Sequence, residues 1–208
     1  MRKFFCINDV LDREHSGWLN GLTEDEIKTP LCYKTKVSLN NKNPNGEIIR
    51  VEEGIHKEKI LTLPYKYKDK KTNISYLSTE LPASKISLKL FRNKKILFVE
   101  NVGKFNVEVD KKIVKGKYNL LIPERPILKI LNPEYFSEKI GGSRFVETWF
   151  RMISEKGKQE DIFLHYGSYS KGCVTVLNNR SFSVWNKIYL TLMSCRLNNK
   201  YLAALLIT

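Results

Sequence analysis

The 208-residue chain lacks the patterns that mark metal-binding and membrane-spanning proteins. It has four cysteines and three histidines, with no CxxC pair and no metal-ligand spacing, so a structural zinc site is not expected. No apolar run approaches the roughly 20 residues that a membrane-spanning helix needs. The sequence therefore predicts a protein with no metal, no cofactor and no membrane span.

The cysteines are too dispersed to define a disulfide framework. Cys6, Cys32, Cys173 and Cys195 include no close pair, and a pairing between distant cysteines cannot be deduced from spacing. Their disulfide status is left open at this point. A single reactive thiol would be compatible with either redox compartment.

The amino terminus lacks the apolar core of a secretory signal peptide. Met1, Arg2 and Lys3 make a basic start, but polar residues interrupt the apolar stretch after only four positions. A protein of this sequence that acts outside the cytoplasm would need a leaderless export route, such as type VI secretion, or a leader that is missing here.

Positive charge is concentrated in the second part of the chain. Residues 1–83 hold 14 Lys/Arg and 12 Asp/Glu, a net of +2, whereas residues 84–208 hold 22 and 10, a net of +12. Such a surface favours polyanionic partners, of which nucleic acid and bacterial cell wall are the two candidates. Because no nucleic-acid-binding motif is present, nucleic acid is not the expected partner.

Residues 1–83 carry the signals of a β-rich extension. The strongest is Asn45-Gly46, a typical hairpin turn between two stretches of strand-forming residues. Upstream, residues 22–27 predict a short helix with Thr23 as its N-cap.

A change of pattern places the domain boundary after residue 83. Residues 64–83 combine two prolines with a lysine-rich stretch and are interpreted as a linker or exposed loop. From residue 84 onward, apolar residues recur at every second position, as in Ile86, Leu88 and Leu90. This period predicts a mainly β domain over residues 84–208.

The last 28 residues predict one helix and one strand. The helix is capped by Ser181 or Ser183 and ends at Asn198-Asn199, and residues 201–207 form the final strand. One helix face is apolar and is expected to lie in the core; its residues are Trp185, Ile188, Tyr189, Leu192 and Cys195.

The segment 162–176 contains the residues most suited to chemistry. His165 precedes Cys173 by eight positions, with small residues between them. A thiol needs a nearby base to act as a nucleophile at neutral pH, and two short strands joined by a glycine-containing loop would bring the pair together. The alternative is a cysteine that is merely a small buried hydrophobe.

The residue pattern of this segment resembles the active-site signature of the L,D-transpeptidase (YkuD-like) catalytic domain. That signature runs His-x-Gly, a loop, then Ser-x-Gly-Cys and an apolar residue, as in the stretches 165–167 and 170–174 here. The short loop is similar to a compact branch that includes secreted antibacterial effectors. Two positions depart from the family pattern, with Lys171 in place of His and Thr175 in place of Arg or Asn.

The resemblance implies a fold and a reaction. The fold would be mainly β, a β-sandwich or β-barrel with one or two short helices, preceded by the β-rich extension. Cys173 would attack an amide carbonyl of a peptidoglycan stem peptide, with His165 as base and D-alanine as the leaving group. An amine acceptor would give transpeptidation, water would give carboxypeptidase activity, and D-amino acid exchange would use the same residues.

The remaining site residues follow from the same resemblance. Backbone N–H groups of Gly172 and Cys173 would form the oxyanion hole, and Ser170 would orient the loop. The third member that orients His165 is expected to be a backbone carbonyl, from Gly167 or Ser168. The substrate-binding candidates are Arg151, Trp149, Lys171 and Tyr166.

Two classes of function thus remain open from the sequence. The first is a cysteine enzyme acting in the periplasm or cell wall, with residues 1–83 serving delivery, a secretion-system component or an immunity protein. The second is a basic module that binds nucleic acid or cell wall without turnover.

Overall fold

The computed structural model shows two compact units, Met1–Pro82 and Ala83–Thr208. None of the helices in the described part of the chain is long and apolar enough to cross a membrane. The structure describes residues 2–12, 14–67, 73–127, 144–156, 161–167, 172–177 and 183–208.

Unit 1 is built on a seven-stranded sheet with the order β3-β2-β6-β5-β4-β1-β9, in which all neighbours are antiparallel. A separate two-stranded sheet pairs β7 with β8. The strands are β1 Phe4–Ile7, β2 Trp18–Leu22, β3 Lys28–Cys32, β4 Lys36–Asn43, β5 Gly46–Val51, β6 Ile60–Leu63, β7 Lys66–Tyr67, β8 Asn73–Ile74 and β9 Leu77–Ser78.

The predicted hairpin is confirmed, with its two-residue turn at Pro44-Asn45 and Gly46 as the first residue of the second strand. It joins β4 to β5, and the Asn43 side chain accepts hydrogen bonds from the backbone N–H groups of Asn45 and Gly46, each at 2.9 Å. A Cβ atom on Gly46 would overlap the backbone carbonyl of Leu63 on the neighbouring strand. Glycine is therefore required here by the close approach of two strands.

The helix predicted at residues 22–27 is wrong. The segment is the turn between β2 and β3, with Glu26 at a φ of 59°. The Thr23 hydroxyl accepts a hydrogen bond from the Ile27 N–H at 3.0 Å, so the side chain expected to cap a helix closes a turn instead. Flanking strand pairs override a weak local helix signal.

The interpretation of residues 64–83 as a linker is wrong for part of the segment. β9 adds to the sheet by pairing with β1, and Tyr76 beside it is only 6% exposed. Tyr76 belongs to the apolar core of unit 1, together with Ile7, Leu31, Ile49 and Leu61. Burial of this aromatic ring offsets the cost of ordering a proline-containing segment.

Unit 2 is a closed eight-stranded barrel with the order β10-β11-β12-β16-β15-β14-β13-β17. Its neighbours are antiparallel except for β10 with β17 and β15 with β16, which are parallel. The strands are β10 Ser87–Phe91, β11 Ile96–Val99, β12 Gly103–Val109, β13 Gly116–Leu121, β14 Phe150–Ser154, β15 Phe163–Gly167, β16 Val174–Leu177 and β17 Tyr201–Ile207.

One α-helix, α1 Ser183–Met193, occurs in the described part of unit 2. The predicted apolar face is confirmed for Trp185, Ile188, Tyr189 and Leu192, which are all completely buried. Cys195, predicted on the same face, is buried but lies beyond the end of the helix. The Trp185 indole N–H donates to the Phe145 carbonyl at 3.0 Å. Ser183 is the first residue of α1, and Ser181, the other predicted cap, lies outside the described residues.

The predicted end of this helix at Asn198-Asn199 is wrong, because α1 stops at Met193. The Arg196 guanidinium donates to the Met193 carbonyl at 3.0 Å and takes up an acceptor at the helix end. Directly before Arg196, the chain forms a β-bridge from Cys195 to Ser84. Because Cys195 pairs with Ser84 in this bridge, the backbone at Cys195 is extended and does not continue the helix.

The fold-class prediction is confirmed. The chain is mainly β, with a barrel, one α-helix among the described residues and a β-rich N-terminal unit. All four cysteines are described and buried, and none of them forms a disulfide.

Candidate active site

The segment that carries the candidate nucleophile and base forms two neighbouring strands of the barrel. β15 and β16 are parallel, and their register places His165 directly beside Thr175. Cys173 immediately precedes β16, two residues before Thr175, which is roughly 6.6 Å of extended chain. The side chain that faces the imidazole across the strand pair is therefore Thr175.

His165 is held in one defined tautomer. Its Nδ1 lies 3.0 Å from the Tyr166 carbonyl oxygen, which can only accept, so Nδ1 carries the proton. Nε2 is then an acceptor, and the Thr175 hydroxyl donates to it at 3.1 Å. The orienting carbonyl thus comes from Tyr166, whereas the sequence had suggested Gly167 or Ser168.

Burial keeps the imidazole neutral. His165 is 2% exposed, and the Trp149 ring stacks on it with centroids 4.2 Å apart and an interplanar angle of 17°. Desolvation lowers the pKa of His165 to about 4, and the hydrogen bond with the Tyr166 backbone opposes this only in part. At neutral pH the ring offers an unprotonated Nε2.

The thiol is also held in its neutral form. Cys173 is 6% exposed, and burial is the main reason why its pKa is raised. A hydrogen bond with the Phe163 backbone acts in the opposite direction, while the carboxylates of Asp110 and Asp161 raise the pKa further. The free protein therefore favours a thiol and an imidazole over a thiolate–imidazolium pair.

The turn before the nucleophile is fastened to β12 by Asp110. The Gly172 N–H donates to Asp110 Oδ2 at 2.8 Å, and the Asp110 N–H donates to the Cys173 carbonyl at 3.1 Å. Gly172 has a φ of 80°, a conformation that favours glycine. One of the two predicted oxyanion donors is thus already bonded to a carboxylate.

Trp149 and Arg151 lie beside the histidine strand. β14 pairs with β15 with Arg151 opposite Phe163, and the Trp149 ring contacts both Phe163 and His165. The Arg151 guanidinium bonds Asp161 Oδ1 at 3.0 Å. Its charge is therefore partly balanced within the protein.

The other predicted substrate contacts are placed differently or lie outside the described residues. Tyr166 is 2% exposed, its ring lies near Trp185 with centroids 6.3 Å apart, and burial raises its pKa. Tyr166 reaches the site through its backbone carbonyl. Ser170 and Lys171 lie outside the described residues.

Two residues of this site were not recognised as such in the sequence. Thr175 was noted only as a departure from the family pattern, and Asp110 was not noted at all. The signal for Thr175 is a hydroxyl two positions after the cysteine, on a strand paired with the histidine strand. Asp110 has only a turn signal, an Asp followed by two lysines at the end of β12.

Across the described ranges, no group of three or more His, Cys, Asp or Glu side chains is placed to hold a metal ion. The chemistry available to these described residues is that of a thiol, an imidazole and backbone N–H donors.

The comparisons with known proteins give a structural similarity but no family match. No protein-family model matches the chain, and no curated protein matches it. Among solved structures, the chain is similar to an L,D-transpeptidase from Mycobacterium tuberculosis, with a TM-score of 0.34 and 10% sequence identity. The match covers 83% of this chain and 90% of that chain.

Proposed function

We propose that unit 2 is a cysteine-dependent acyltransferase that acts on peptidoglycan stem peptides. The observation that carries the proposal is the pairing of β15, which holds His165, with β16, which Cys173 immediately precedes. The His165 tautomer adds to it, because Nε2 is unprotonated and accepts from the Thr175 hydroxyl, which can move aside. The His-Tyr-Gly and Ser-x-Gly-Cys motifs supply the chemical class.

The reaction begins with the transfer of one proton. The Cys173 thiol attacks the amide carbonyl, its proton passes to His165 Nε2, and the new C–S bond gives a tetrahedral oxyanion. Because burial favours the neutral forms of both groups, proton transfer accompanies the attack and does not precede it. The Thr175 hydroxyl releases Nε2 at this step.

Collapse of the oxyanion completes acylation. The C–N bond breaks, the imidazolium returns its proton to the leaving amine, and a thioester remains on Cys173. An amine or water then attacks the thioester, His165 takes the proton of the attacking group, and the thiol is regenerated. The outcome is transpeptidation, D-amino acid exchange or carboxypeptidase cleavage.

The charge of this part of the chain suits an anionic substrate. Residues 84–208 have a net charge of +12, and stem peptides carry free carboxylates. Arg151 is the candidate next to the histidine strand, and a substrate carboxylate would compete with Asp161 for it. Trp149 would provide a flat apolar wall, and Lys171, Ser170 and Tyr166 remain proposed contacts.

The biological setting extends the proposal. An enzyme of this kind works in the periplasm or cell wall, and an exported antibacterial effector is the role that we propose. In that role the β-rich unit 1 would serve delivery or contact an immunity protein.

The decisive experiment is incubation of purified muropeptides with the wild type, Cys173→Ala and His165→Gln, followed by mass analysis. Loss of D-alanine, its exchange or a new crosslink is expected only with the wild type. Cys195→Ala is the matched control, because Cys195 is another buried cysteine, lies just beyond the end of α1 and donates its thiol to the Thr191 carbonyl. Equal products from wild type and Cys173→Ala would refute the proposal.

The second candidate is a basic binding module without turnover, favoured by the excess charge and by the neutral thiol. It predicts salt-sensitive binding to DNA or to insoluble cell wall that Cys173→Ala leaves unchanged. Unaltered muropeptides combined with such binding would select this alternative.

A further inference from the structure

Asp110, which follows β12, is hydrogen-bonded to both Gly172 and Cys173. Its carboxylate accepts from the Gly172 N–H at 2.8 Å, and its own N–H donates to the Cys173 carbonyl at 3.1 Å. The second carboxylate oxygen accepts from the Lys112 N–H at 2.9 Å. These three hydrogen bonds, together called the Asp110 clamp, are all of ordinary length.

The partner of the Gly172 N–H decides whether that group can stabilise an oxyanion. A bond from an N–H to a carboxylate is charge-assisted and stronger than one to a neutral oxygen. The Gly172 N–H is therefore occupied in the free protein. It becomes available to a substrate oxygen only when the bond to Asp110 is exchanged for one to the developing negative charge.

Charged groups surround this clamp on several elements. Asp110 faces Lys111 and Lys112 on its own turn, and the backbone bonds with Lys112 and Gly172 hold its pKa below the usual range. Asp161, which precedes β15, is the other carboxylate that acts on the Cys173 thiol, and it is paired with Arg151 of β14. The buried His165 on β15 is the remaining titratable group of the candidate site.

We propose that Asp110 is a positioning residue for Cys173, which holds the Gly172–Cys173 turn in place and occupies the Gly172 N–H until an oxyanion replaces it. The catalytic part of this proposal rests on the proposed function. The clamp itself does not, because it is a property of the free protein. Asp110 stays ionised throughout and keeps its bond from Lys112, so the exchange transfers no proton and breaks no covalent bond.

The clamp is tested first by amide hydrogen exchange and NMR of Gly172. Asp110→Asn keeps one acceptor oxygen for the two N–H donors of Gly172 and Lys112, whereas Asp110→Ala keeps none. Exchange of the Gly172 amide should therefore be accelerated by about tenfold or more in Asp110→Ala and by less in Asp110→Asn. In the wild type, the Gly172 amide resonance should also shift as Asp110 titrates in acid. This titration decides the matter even if Asp110→Ala fails to fold. Equal Gly172 exchange in wild type and Asp110→Ala, or a Gly172 resonance that ignores the acid titration, would overturn the proposal.

The second test separates positioning from charge. Iodoacetamide alkylation of Cys173 is followed against pH in the wild type, Asp110→Asn, Asp110→Ala and the control Asp161→Asn. Removing the charge of Asp110 or of Asp161 should make alkylation of Cys173 about threefold faster near neutral pH, because the pKa of the Cys173 thiol falls. Asp161→Asn should leave Gly172 exchange unchanged, since Asp161 bonds Arg151 and not the turn.

Turnover of muropeptides gives the final readout. Asp110→Ala should alkylate faster than the wild type and yet release D-alanine about tenfold more slowly, with the loss in kcat, because its turn is no longer held. A kcat equal to that of Asp161→Asn would overturn the positioning role. If the wild type itself shows no turnover, the proposed function fails, and the exchange and alkylation results still decide whether the clamp exists.

Discussion

Burial of His165 predicts a specific dependence of stability on pH. The pKa of this imidazole is about 4 in the folded protein and 6.5 when it is exposed, so the unfolded chain binds its proton first as the pH falls. The contribution of the neutral His165 to the free energy of unfolding is fully present above the pKa of the unfolded chain, 6.5. It is lost as the pH falls towards the pKa of the folded protein, about 4. The difference between the two values corresponds to about 3 kcal/mol.

The assay compares urea unfolding of the wild type with that of His165→Gln at about pH 7 and about pH 4.5, where most of this loss has occurred. A Trp18→Phe background confines the fluorescence signal to Trp149 and Trp185, which both belong to unit 2. Other acidic groups affect both proteins alike. The wild type should therefore lose about 2 kcal/mol more than His165→Gln over this interval.

Two results would refute this reasoning. One is an equal acid loss in the two proteins. The other is an NMR titration in which the resonance that disappears in His165→Gln follows an ordinary histidine curve. With only three histidines in the chain, that assignment is direct.

Three further predictions concern stability and are read from urea unfolding. Thr175→Val should cost about 1–3 kcal/mol, because it removes the donor to the buried His165 Nε2, whereas Thr175→Ser should retain most of the stability; equal effects would contradict the hydrogen bond. Gly46→Ala should destabilise unit 1 by about 1–3 kcal/mol through overlap with a neighbouring backbone carbonyl, and an unchanged midpoint would refute that contact. Trp185→Ala should cost about 3–5 kcal/mol, while Leu190→Ala on the exposed side of the same helix should cost far less.

Local signals were sufficient where the structure is locally determined. The Asn45-Gly46 hairpin and the apolar face of α1 were both predictable, because a turn conformation and a 3.6-residue period are properties of a few consecutive residues. The helix expected at residues 22–27 failed for the complementary reason. There the pairing of β2 with β3 outweighs a cap signal of a few residues.

The neighbours of the candidate site could not be predicted in the same way. Alternating apolar residues indicate a strand but do not say which strand lies beside it. Asp110 reaches Gly172 across 62 positions because β12 pairs with β16. Likewise, the contact of Thr175 with His165 depends on the parallel register of β15 and β16. The motif suggested Cys173 and His165 as candidates, whereas it gave no sign of the carboxylates and the hydroxyl that lie around them.

The pairing of β17 on both of its edges bears on how this protein is made. β17 lies between β10 and β13, strands from the beginning and the middle of unit 2, so the barrel cannot close before residue 207 has left the ribosome. Until then, β10 and β13 expose unpaired edges that are prone to aggregation. Unit 1 has no strand beyond residue 78 and can complete its sheet long before, so the two units should acquire protease resistance one after the other during synthesis.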